Sequence, residues 1–233
     1  MNKLENAIII PARGGSKGIK NKNFVNFSNK PLLYWTITQS IKAKRVSDVY
    51  VSSDSKKILN FSKKLGAIPI VRPKSISCDI SKSEDAILHF INSTKKKYKN
   101  IVFLQATSPL RFVDDIDNAI KIFKQKKYDS LFSCSTSSDW FDVWKTNKKK
   151  IVPLTIDYKK KMPRQKVKAK YFLQNGSIYI FDKKKFLKYK TRLFGKIGVY
   201  IMDEWQSFQI DEKKQIKFME ILFKKFISNE KTK

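Results

Sequence analysis

The residues best suited to chemistry lie near the start of the chain, in the segment Ile8–Asn23 with the sequence IIIPARGGSKGIKNKN. A run of β-branched apolar residues predicts a strand buried on both faces of a parallel sheet. The segment after such a strand lies at the carboxyl edge of the sheet, where ligands bind in open α/β folds. Glycines let backbone N–H groups turn toward an anion, and basic side chains supply charge. This segment therefore predicts a polyphosphate site, with candidate residues Arg13, Gly14, Gly15, Lys17, Gly18, Lys20 and Lys22.

The glycines of this segment do not form a standard nucleotide motif. GGSKG lacks the spacing of a Walker P-loop and does not match the dinucleotide-binding fingerprint. Glycine-rich loops are also common as tight structural turns, so that alternative stays open for this segment alone.

A second group of polar residues follows a later apolar run. In LQATSPLR, Gln105, Thr107 and Ser108 stand at the end of a strand predicted at Asn100–Pro109. In a parallel sheet this end shares an edge with the basic segment, so these groups could bind a base or a substrate hydroxyl. The alternative is that they cap the next helix and line a turn. Asp211 follows another short apolar run, and could ligate a metal ion carried by a triphosphate or be a helix N-cap.

The other reactive side chains do not suggest catalysis. The single histidine, His89, lies in a predicted helix between Leu88 and Phe90, and no serine, histidine and acid stand in positions that suggest a hydrolase triad. Cys78 and Cys134 lack metal or redox spacing, and we expect them to be thiols of a reducing compartment.

The elements that must position these groups alternate along the first 130 or so residues. Predicted strands are Ala7–Pro11, Asp48–Asp54, Ile68–Pro73 and Asn100–Pro109, and predicted helices begin at Pro31, Ser55, Ser83 and Val113. This alternation predicts a mostly parallel sheet with helices on both faces. In the first helix, Leu33, Ile37 and Ile41 have the spacing of a core-facing stripe.

The alternation ends at Ser135–Asn175, where dispersed aromatic residues, lysine runs and prolines predict an insertion or small subdomain. The short strands predicted within it are Ile151–Ile156 and Tyr171–Gln174. Strands at Gly176–Asp182 and Gly195–Met202 and a terminal helix complete the prediction.

The composition suits one domain, because 41% of the 233 residues are hydrophobic. The formal charge of +30 raises nucleic-acid binding as a hypothesis. The lysines are spread through nearly every polar segment, however, which favours solvated surface positions over a nucleic-acid-binding face. We see no signal peptide and no apolar stretch of membrane-spanning length, so we expect a soluble, cytoplasmic protein.

Seven motifs together resemble the acylneuraminate cytidylyltransferases, the CMP-sialic acid synthetase family. They follow the family's order between about residues 6 and 212, and are IIIPARGGSKGIKNKN, VSSDS, RP with SISCDISKSEDAI, FLQATSPLR, MPRQ, QNGSIYIF and YIMDEWQSFQID. The resemblance implies a Rossmann-like, GT-A-like nucleotidyltransferase α/β fold. Residues 1–134 and 176–233 would form the nucleotidyltransferase domain, and residues 135–175 an insertion for dimerisation and sugar binding.

The reaction that the resemblance implies joins CTP to a nonulosonic acid, giving a CMP-sugar and pyrophosphate, with a divalent cation, usually Mg²⁺. Such transfers depend on alignment and charge neutralisation rather than on covalent help from the protein. By the matching motifs, the triphosphate residues would be Arg13, Gly14, Ser16, Lys17 and Lys22, the cytidine residues Asn23, Arg72 and Ser83, and the sugar residues Gln105, Thr107, Lys145 and Arg164. The resemblance also implies a homodimer, with no membrane and no specific nucleic acid as partner.

Two positions depart from the family pattern. Where the family commonly has an acid-x-Asp pair for the metal, this sequence has Gln209 and Asp211. A glutamine oxygen can still ligate Mg²⁺, directly or through water, but with less charge. Where sialic-acid enzymes often have RPNG, this sequence has LQNG, and Leu173 cannot pair with a carboxylate. Modified nonulosonic acids, such as legionaminic or pseudaminic acid, are therefore expected acceptors alongside N-acetylneuraminic acid.

Two other functions stay open from the sequence. The first is a cytidylyltransferase for another sugar acid, such as 3-deoxy-manno-octulosonate. The glutamine-containing strand end and the PRQ segment favour the acylneuraminate branch over it. The second is a basic nucleic-acid-binding protein, which would bind DNA or RNA tightly and release no pyrophosphate.

Overall fold

The structure is a computed structural model that describes residues 5–16, 18–136, 143–148, 150–155, 158–160 and 171–228. Its strands are β1 (Asn6–Pro11), β2 (Asn26–Phe27), β3 (Lys30–Pro31), β4 (Asp48–Ser53), β5 (Ile68–Val71), β6 (Asn100–Leu104), β7 (Ser130–Thr136), β8 (Trp144–Asn147), β9 (Lys150–Pro153), β10 (Phe172–Asp182) and β11 (Ile197–Ile201). Its α-helices are α1 (Leu32–Lys42), α2 (Lys56–Lys64), α3 (Ser83–Ser93), α4 (Asp115–Gln125), α5 (Lys183–Tyr189) and α6 (Lys213–Phe226).

Seven strands form one central sheet in the order β11-β7-β10-β6-β1-β4-β5. Strand β10 runs antiparallel to β6 and β7, and every other pairing in this sheet is parallel. The predicted mostly parallel α/β sheet is therefore confirmed. The remaining pairs, β2 with β3 and β8 with β9, form two small antiparallel ribbons.

Helices cover both faces of the sheet, because the central strands are apolar on both sides. In β1, Ile8 and Ile10 join the core cluster beneath α1, α2 and α4, whereas Ala7 and Ile9 join the cluster beneath α3 and α5. The helix predicted from the spacing of Leu33, Ile37 and Ile41 is present as α1, with Leu33 and Ile37 buried and Ile41, near its end, 44% exposed.

The C-terminal helix α6 returns to the region just after β1. Phe223 of α6 packs against Phe27, with ring centroids 5.3 Å apart, and against Trp35, at 4.4 Å. Glu220 accepts a hydrogen bond from the backbone N–H of Ser28 at 2.7 Å. These contacts bring the segment before α6, which contains Asp211, to the carboxyl edge of the sheet.

The largest departure from the predicted elements concerns β10. The strands predicted at Tyr171–Gln174 and Gly176–Asp182 form one strand, whose register shifts between Gln174 and Tyr179. Gly176 lies in this irregular stretch with φ of +68°, a conformation that favours glycine. The strand thus runs across the predicted subdomain boundary at residue 175.

Two further differences affect the edge of the sheet. Strand β7 was not among the predicted strands, and β6 ends at Leu104 rather than at Pro109 because the backbone N–H of Ser108 donates to the carbonyl of Gln105 and closes a turn. Within the described residues, no helix is long and apolar enough to cross a membrane.

Candidate active site

A cavity of about 440 Å³ opens at the carboxyl edge of the central sheet. The ends of β1 and β6, the segment between β5 and α3, and the segment before α6 form its walls. The predicted site residues among those that line it are Arg13, Gly15, Ser16, Lys22, Asn23, Arg72, Ser83, Gln105, Thr107, Gln209 and Asp211. The fold therefore brings together residues that lie nearly 200 positions apart in the chain.

Two cations of this cavity are paired with acids. Arg13 Nη1 lies 2.7 Å from Asp79 Oδ1, and Lys22 Nζ lies 2.9 Å from Asp211 Oδ1. Lys22 Nζ also donates to the carbonyl of Ile210 at 3.2 Å. All four charged side chains keep some exposure, so both pairs are accessible to a ligand.

The glycine-containing segment after β1 is held by side chains from its neighbours. Gly14 N–H donates to Asp54 Oδ1 at 2.8 Å, and Asn23 Nδ2 donates to the carbonyl of Arg13 at 2.9 Å. A Cβ at Gly18 would lie 2.6 Å from the carbonyl oxygen of Asp211, so only glycine fits there. Gly14, a predicted nucleotide contact, is not a lining residue of the cavity, and its amide is bonded within the protein.

Arg72 and Ser83 form the wall on the α3 side. Arg72 follows β5 and is 93% buried, with Nε donating to Ser77 Oγ at 3.0 Å. Burial lowers the pKa of Arg72, whereas the Asp54 carboxylate raises it. Ser83 is the first residue of α3, so it stands at a helix N-terminus, which favours anions and hydrogen-bond acceptors.

Gln105 and Thr107 form the wall at the end of β6, together with Gln209. Thr107 Oγ1 donates to Gln209 Oε1 at 3.4 Å, and Gln209 Nε2 donates to the carbonyl of Asn175 at 2.6 Å. A Cβ at Gly176 would lie 2.5 Å from Gln209 Nε2 and 3.0 Å from Gln105 Oε1. Close packing of the two amides therefore requires glycine at this position.

A divalent cation would find few acidic ligands here. The described residues contain no group of three or more His, Cys, Asp or Glu side chains that could hold a metal ion. At the positions predicted for the metal, the oxygens are the Asp211 carboxylate and the Gln209 amide, and the other carboxylate of the cavity, Asp79, is paired with Arg13. This donor set fits Mg²⁺ delivered with a triphosphate, because Mg²⁺ takes most of its ligands from phosphate and water in such sites. Asp211 is not the N-cap of α6, which is Glu212.

Several predicted residues besides Gly14 are not part of this cavity as described. Gly18, Lys20 and Ser108 are not among its lining residues, and Ser108 is buried. Lys145 lies on β8 with an exposed side chain and does not line the cavity. Lys17 and Arg164 lie outside the described residues.

One important residue of the site was missed from the sequence. Arg111 is fully buried, and its Nη2 donates to the carbonyls of Gln105 at 2.7 Å and Ser177 at 3.3 Å. Its Nη1 donates to Gln39 Oε1 at 3.1 Å. The pKa of Arg111 is lowered to about 9, because the effect of burial outweighs the opposing effect of the nearby Asp115 carboxylate. The available signal was an arginine placed directly after the apolar Leu110 in a strand-end motif.

The fold and this cavity define an α/β nucleotide-binding domain with a cationic, glycine-containing segment at its carboxyl edge. The chain belongs to the cytidylyltransferase family, whose profile matches residues 7–232. The resemblance to the acylneuraminate cytidylyltransferases is thereby confirmed.

Curated relatives match most of this chain, and several of them are named cytidylyltransferases. An N-acylneuraminate cytidylyltransferase of Escherichia coli is 31% identical over 88% of this chain and 49% of its own length. A post-translational flagellin modification protein B of Campylobacter coli is 32% identical over 92% of this chain and 93% of its own length. A pseudaminic acid cytidylyltransferase of Campylobacter jejuni is 31% identical over 81% of this chain and 71% of its own length. The chain thus spans about half the length of some relatives and nearly all of others.

Solved structures share the fold at low sequence identity. A CMP:2-keto-3-deoxy-manno-octonic acid synthetase complexed with CTP superposes with a TM-score of 0.71 at 15% identity, covering 95% of this chain and 99% of that chain. A 4-diphosphocytidyl-2C-methyl-D-erythritol synthase superposes with a TM-score of 0.69 at 9% identity, covering 96% of this chain and 100% of that chain. These likenesses establish the nucleotidyltransferase fold.

Proposed function

We propose that this protein transfers a cytidylyl group from CTP to a nonulosonic acid. The anomeric hydroxyl of the sugar attacks the α-phosphorus, the bond to the β-phosphate oxygen breaks, the hydroxyl proton passes to solvent, and pyrophosphate leaves. The observation that carries the proposal is the meeting, in one cavity, of the Arg13 and Lys22 cations with the Gln105 and Thr107 polar groups. The family match and the names of the relatives support cytidylyl transfer and this class of acceptor.

The triphosphate end of the cavity is the cationic one. Arg13 and Lys22 neutralise charge on the phosphates, and Ser16 donates a hydrogen bond, as the resemblance implies. Lys17 has the same role by resemblance alone. Since phosphoryl chemistry needs little covalent assistance, positioning and neutralisation by these groups account for catalysis.

The cytidine and the sugar occupy the remaining walls. Asn23, Arg72 and Ser83 bind the cytidine, and Gln105 and Thr107 face the junction between nucleotide and sugar. The resemblance adds Lys145 and Arg164 as cations for the sugar carboxylate.

Mg²⁺ accompanies the triphosphate in this proposal. Asp211 supplies the protein carboxylate, and Gln209 supplies an amide oxygen. When bound, the ion shares the negative charge of the phosphates and so makes the α-phosphorus easier to attack.

The proposal includes a homodimer in the cytoplasm. Large apolar side chains are exposed across the insertion, at Val143, Trp144, Ile151, Leu154, Tyr171, Phe172 and Leu173. Exposed apolar surface of this kind is typical of subunit interfaces.

The test is pyrophosphate release from CTP and Mg²⁺ with a panel of nonulosonic acids, with 3-deoxy-manno-octulosonate and other nucleoside triphosphates as controls. We expect release with CTP and at least one nonulosonic acid. Arg13→Ala should lower kcat/KM by at least about 100-fold, because it removes a phosphate contact. Arg45→Ala, an exposed arginine outside the cavity, is the matched control and should retain wild-type turnover. Absence of release with every acid, or near-normal turnover of Arg13→Ala, contradicts the proposal.

A further inference from the structure

An aspartate outside the cavity holds the glycine-containing segment that forms one of its walls. Asp54 directly follows β4, and Ser55 is the N-cap of α2. Asp54 Oδ1 accepts the 2.8 Å hydrogen bond from Gly14 N–H, although the two residues lie 40 positions apart. A Cβ at Gly14 would lie 3.0 Å from Ser55 Cβ, so the segment packs closely on the turn between β4 and α2. This turn therefore fixes the place where the segment leaves β1.

The backbone on either side of Arg13 is hydrogen-bonded to its neighbours. Ala12 N–H donates to the carbonyl of Ser52 at 2.9 Å, which continues the pairing of β1 with β4. The Arg13 carbonyl accepts from Asn23 Nδ2 at 2.9 Å, and the next amide along the chain is the one bound by Asp54. The side chain of Arg13 thus lines the cavity from a backbone that is held at three consecutive residues.

The contact with Asp54 gives the Gly14 amide a structural use. Glycine-containing segments of nucleotide-binding proteins often direct backbone N–H groups at phosphate oxygens. Here a carboxylate oxygen of the protein accepts from this amide, so the segment is held by the protein itself. The lining residues Gly15 and Ser16 follow directly and are placed by the same contact. Order of this kind reduces the conformational entropy that is lost when a ligand binds.

The charge of Asp54, by contrast, would oppose a nucleotide. A triphosphate carries several negative charges, and a carboxylate beside its site repels them. The same carboxylate raises the pKa of Arg72 against the effect of burial, which places the acid near a second wall of the cavity. The hydrogen bond and the charge of Asp54 therefore lead to opposite expectations for its removal.

We infer that Asp54 is a positioning residue, which holds the glycine-containing segment so that Arg13 and Ser16 meet the triphosphate. This inference rests on the proposed function, and it adds a residue that acts on the nucleotide only through the backbone of Gly14. Hydrogen bonds with an ionised acceptor are among the stronger ones in proteins, which suits a contact that fixes a loop.

The experiment measures the dissociation constant of CTP with Mg²⁺ by calorimetry, without sugar, for the wild type and two variants. Asp54→Ala removes both charge and acceptor and should raise this constant at least about tenfold, because the Gly14 amide loses its partner. Asp54→Asn removes the charge but keeps an oxygen acceptor, so the constant should stay within about threefold of the wild type. If only the charge mattered, both variants would bind CTP more tightly, since each removes a repulsion.

Asp117→Ala is the matched control. Asp117 also accepts backbone N–H groups, those of Lys44 and Arg45 at 2.8 and 2.7 Å, and it does not line the cavity. The control should lower the thermal midpoint and leave the affinity for CTP unchanged. Should Asp54→Ala fail to fold, Asp54→Glu replaces it, because this variant keeps the charge but shifts the carboxylate by one methylene group. It should weaken CTP binding more than Asp54→Asn does.

The outcomes separate this inference from the proposed function. Unchanged or tighter CTP binding by Asp54→Ala overturns the role of Asp54, and so does an equal weakening by Asp54→Asn or by the control. Absence of pyrophosphate release with every acid overturns the proposed function, whereas the binding measurement alone decides the role of Asp54.

Discussion

Gln209 shows how one residue can serve two needs of the site. Its amide nitrogen donates to the Asn175 carbonyl, and its oxygen accepts from Thr107 at the wall of the cavity. An aspartate at this position would bring charge toward Asp211 but could not donate to Asn175. With glutamine in place of a second acid, the site has one carboxylate fewer but keeps a hydrogen bond to strand β10.

Gln209→Asp should tighten the apparent affinity for Mg²⁺, because a second carboxylate would join Asp211 near the phosphates. The same change should lower the free energy of unfolding by about 1 kcal/mol, because the Asn175 carbonyl loses its donor. A magnesium titration of pyrophosphate release measures the first effect and denaturant unfolding the second. An unchanged titration would argue that Gln209 does not lie beside the metal.

Residue types at strand ends made much of this site predictable. Arg13 and Lys22 could be predicted as site residues because they lie in the glycine-containing segment after a buried apolar strand. Asp79 and Asn175 were not visible as parts of the site, because their roles come from neighbours distant in the chain. Sequence spacing does not encode such contacts.

At the scale of elements, Arg111 ties the site to the core. It links α1, through Gln39, to the end of β6 at Gln105 and to the middle of β10 at Ser177. Burying a charged group is costly unless it is hydrogen-bonded, and here Nη1 and Nη2 have partners, whereas the buried Nε has none among the described residues. The position of Gln105 in the cavity wall therefore depends on an arginine that is fully buried and does not line the cavity.

Arg111→Met should lower the free energy of unfolding by about 2–4 kcal/mol, because the acceptors around the guanidinium lose their donor. Denaturant unfolding measures this change. Arg45→Met, an exposed arginine, should change stability by less than about 0.5 kcal/mol. Equal stability of the two variants would mean that the buried hydrogen bonds contribute nothing net.

The helix α3 carries the only histidine of the chain, His89. Burial lowers the pKa of His89, and the charge of Arg72 lowers it further. The folded protein thus binds this proton less readily than the unfolded chain. Its contribution to stability is present above the ordinary histidine pKa of about 6.5 and is lost as the pH falls below it.

His89→Gln removes this titration. We expect the thermal midpoint of the wild type, relative to that of His89→Gln, to fall when the pH is lowered from 7.5 to 5. Differential scanning measurements at several pH values test this expectation. Parallel pH profiles for the two proteins would contradict it.

The elements themselves were predictable to different degrees. Strands β1, β4 and β6 are apolar on both faces and stand out in the sequence. Strand β7, with the sequence SLFSCST, does not, because serines interrupt its apolar pattern. Ser133 is nevertheless buried, and its Oγ donates to Asn175 Oδ1. The continuity of β10 was also hidden, because Asn175 and Gly176 have the character of a turn.

At the scale of the whole molecule, exposed apolar side chains coexist with a formal charge of +30. The proposed association through the insertion would bring like charges together, so we expect its interface to be apolar. The same charge predicts weak binding to nucleic acids that disappears near physiological salt.

We expect light scattering to give twice the chain mass of 27.3 kDa for the wild type. Ile151→Glu combined with Leu154→Glu should give the monomer mass, because both side chains are exposed apolar residues of the insertion. Ile221→Glu, an exposed position on α6, should leave the dimer intact. A monomeric wild type at micromolar concentration would contradict the dimer.

The pairs Arg13–Asp79 and Lys22–Asp211 mean that, if a nucleotide binds as proposed, its phosphates replace carboxylates that already neutralise these cations. A small monovalent anion brings no more charge than the carboxylate it would displace, so it gains little by entering. A triphosphate carries several negative charges on covalently linked groups and can replace both carboxylates at once. We therefore expect these cations to bind a polyanion in preference to chloride.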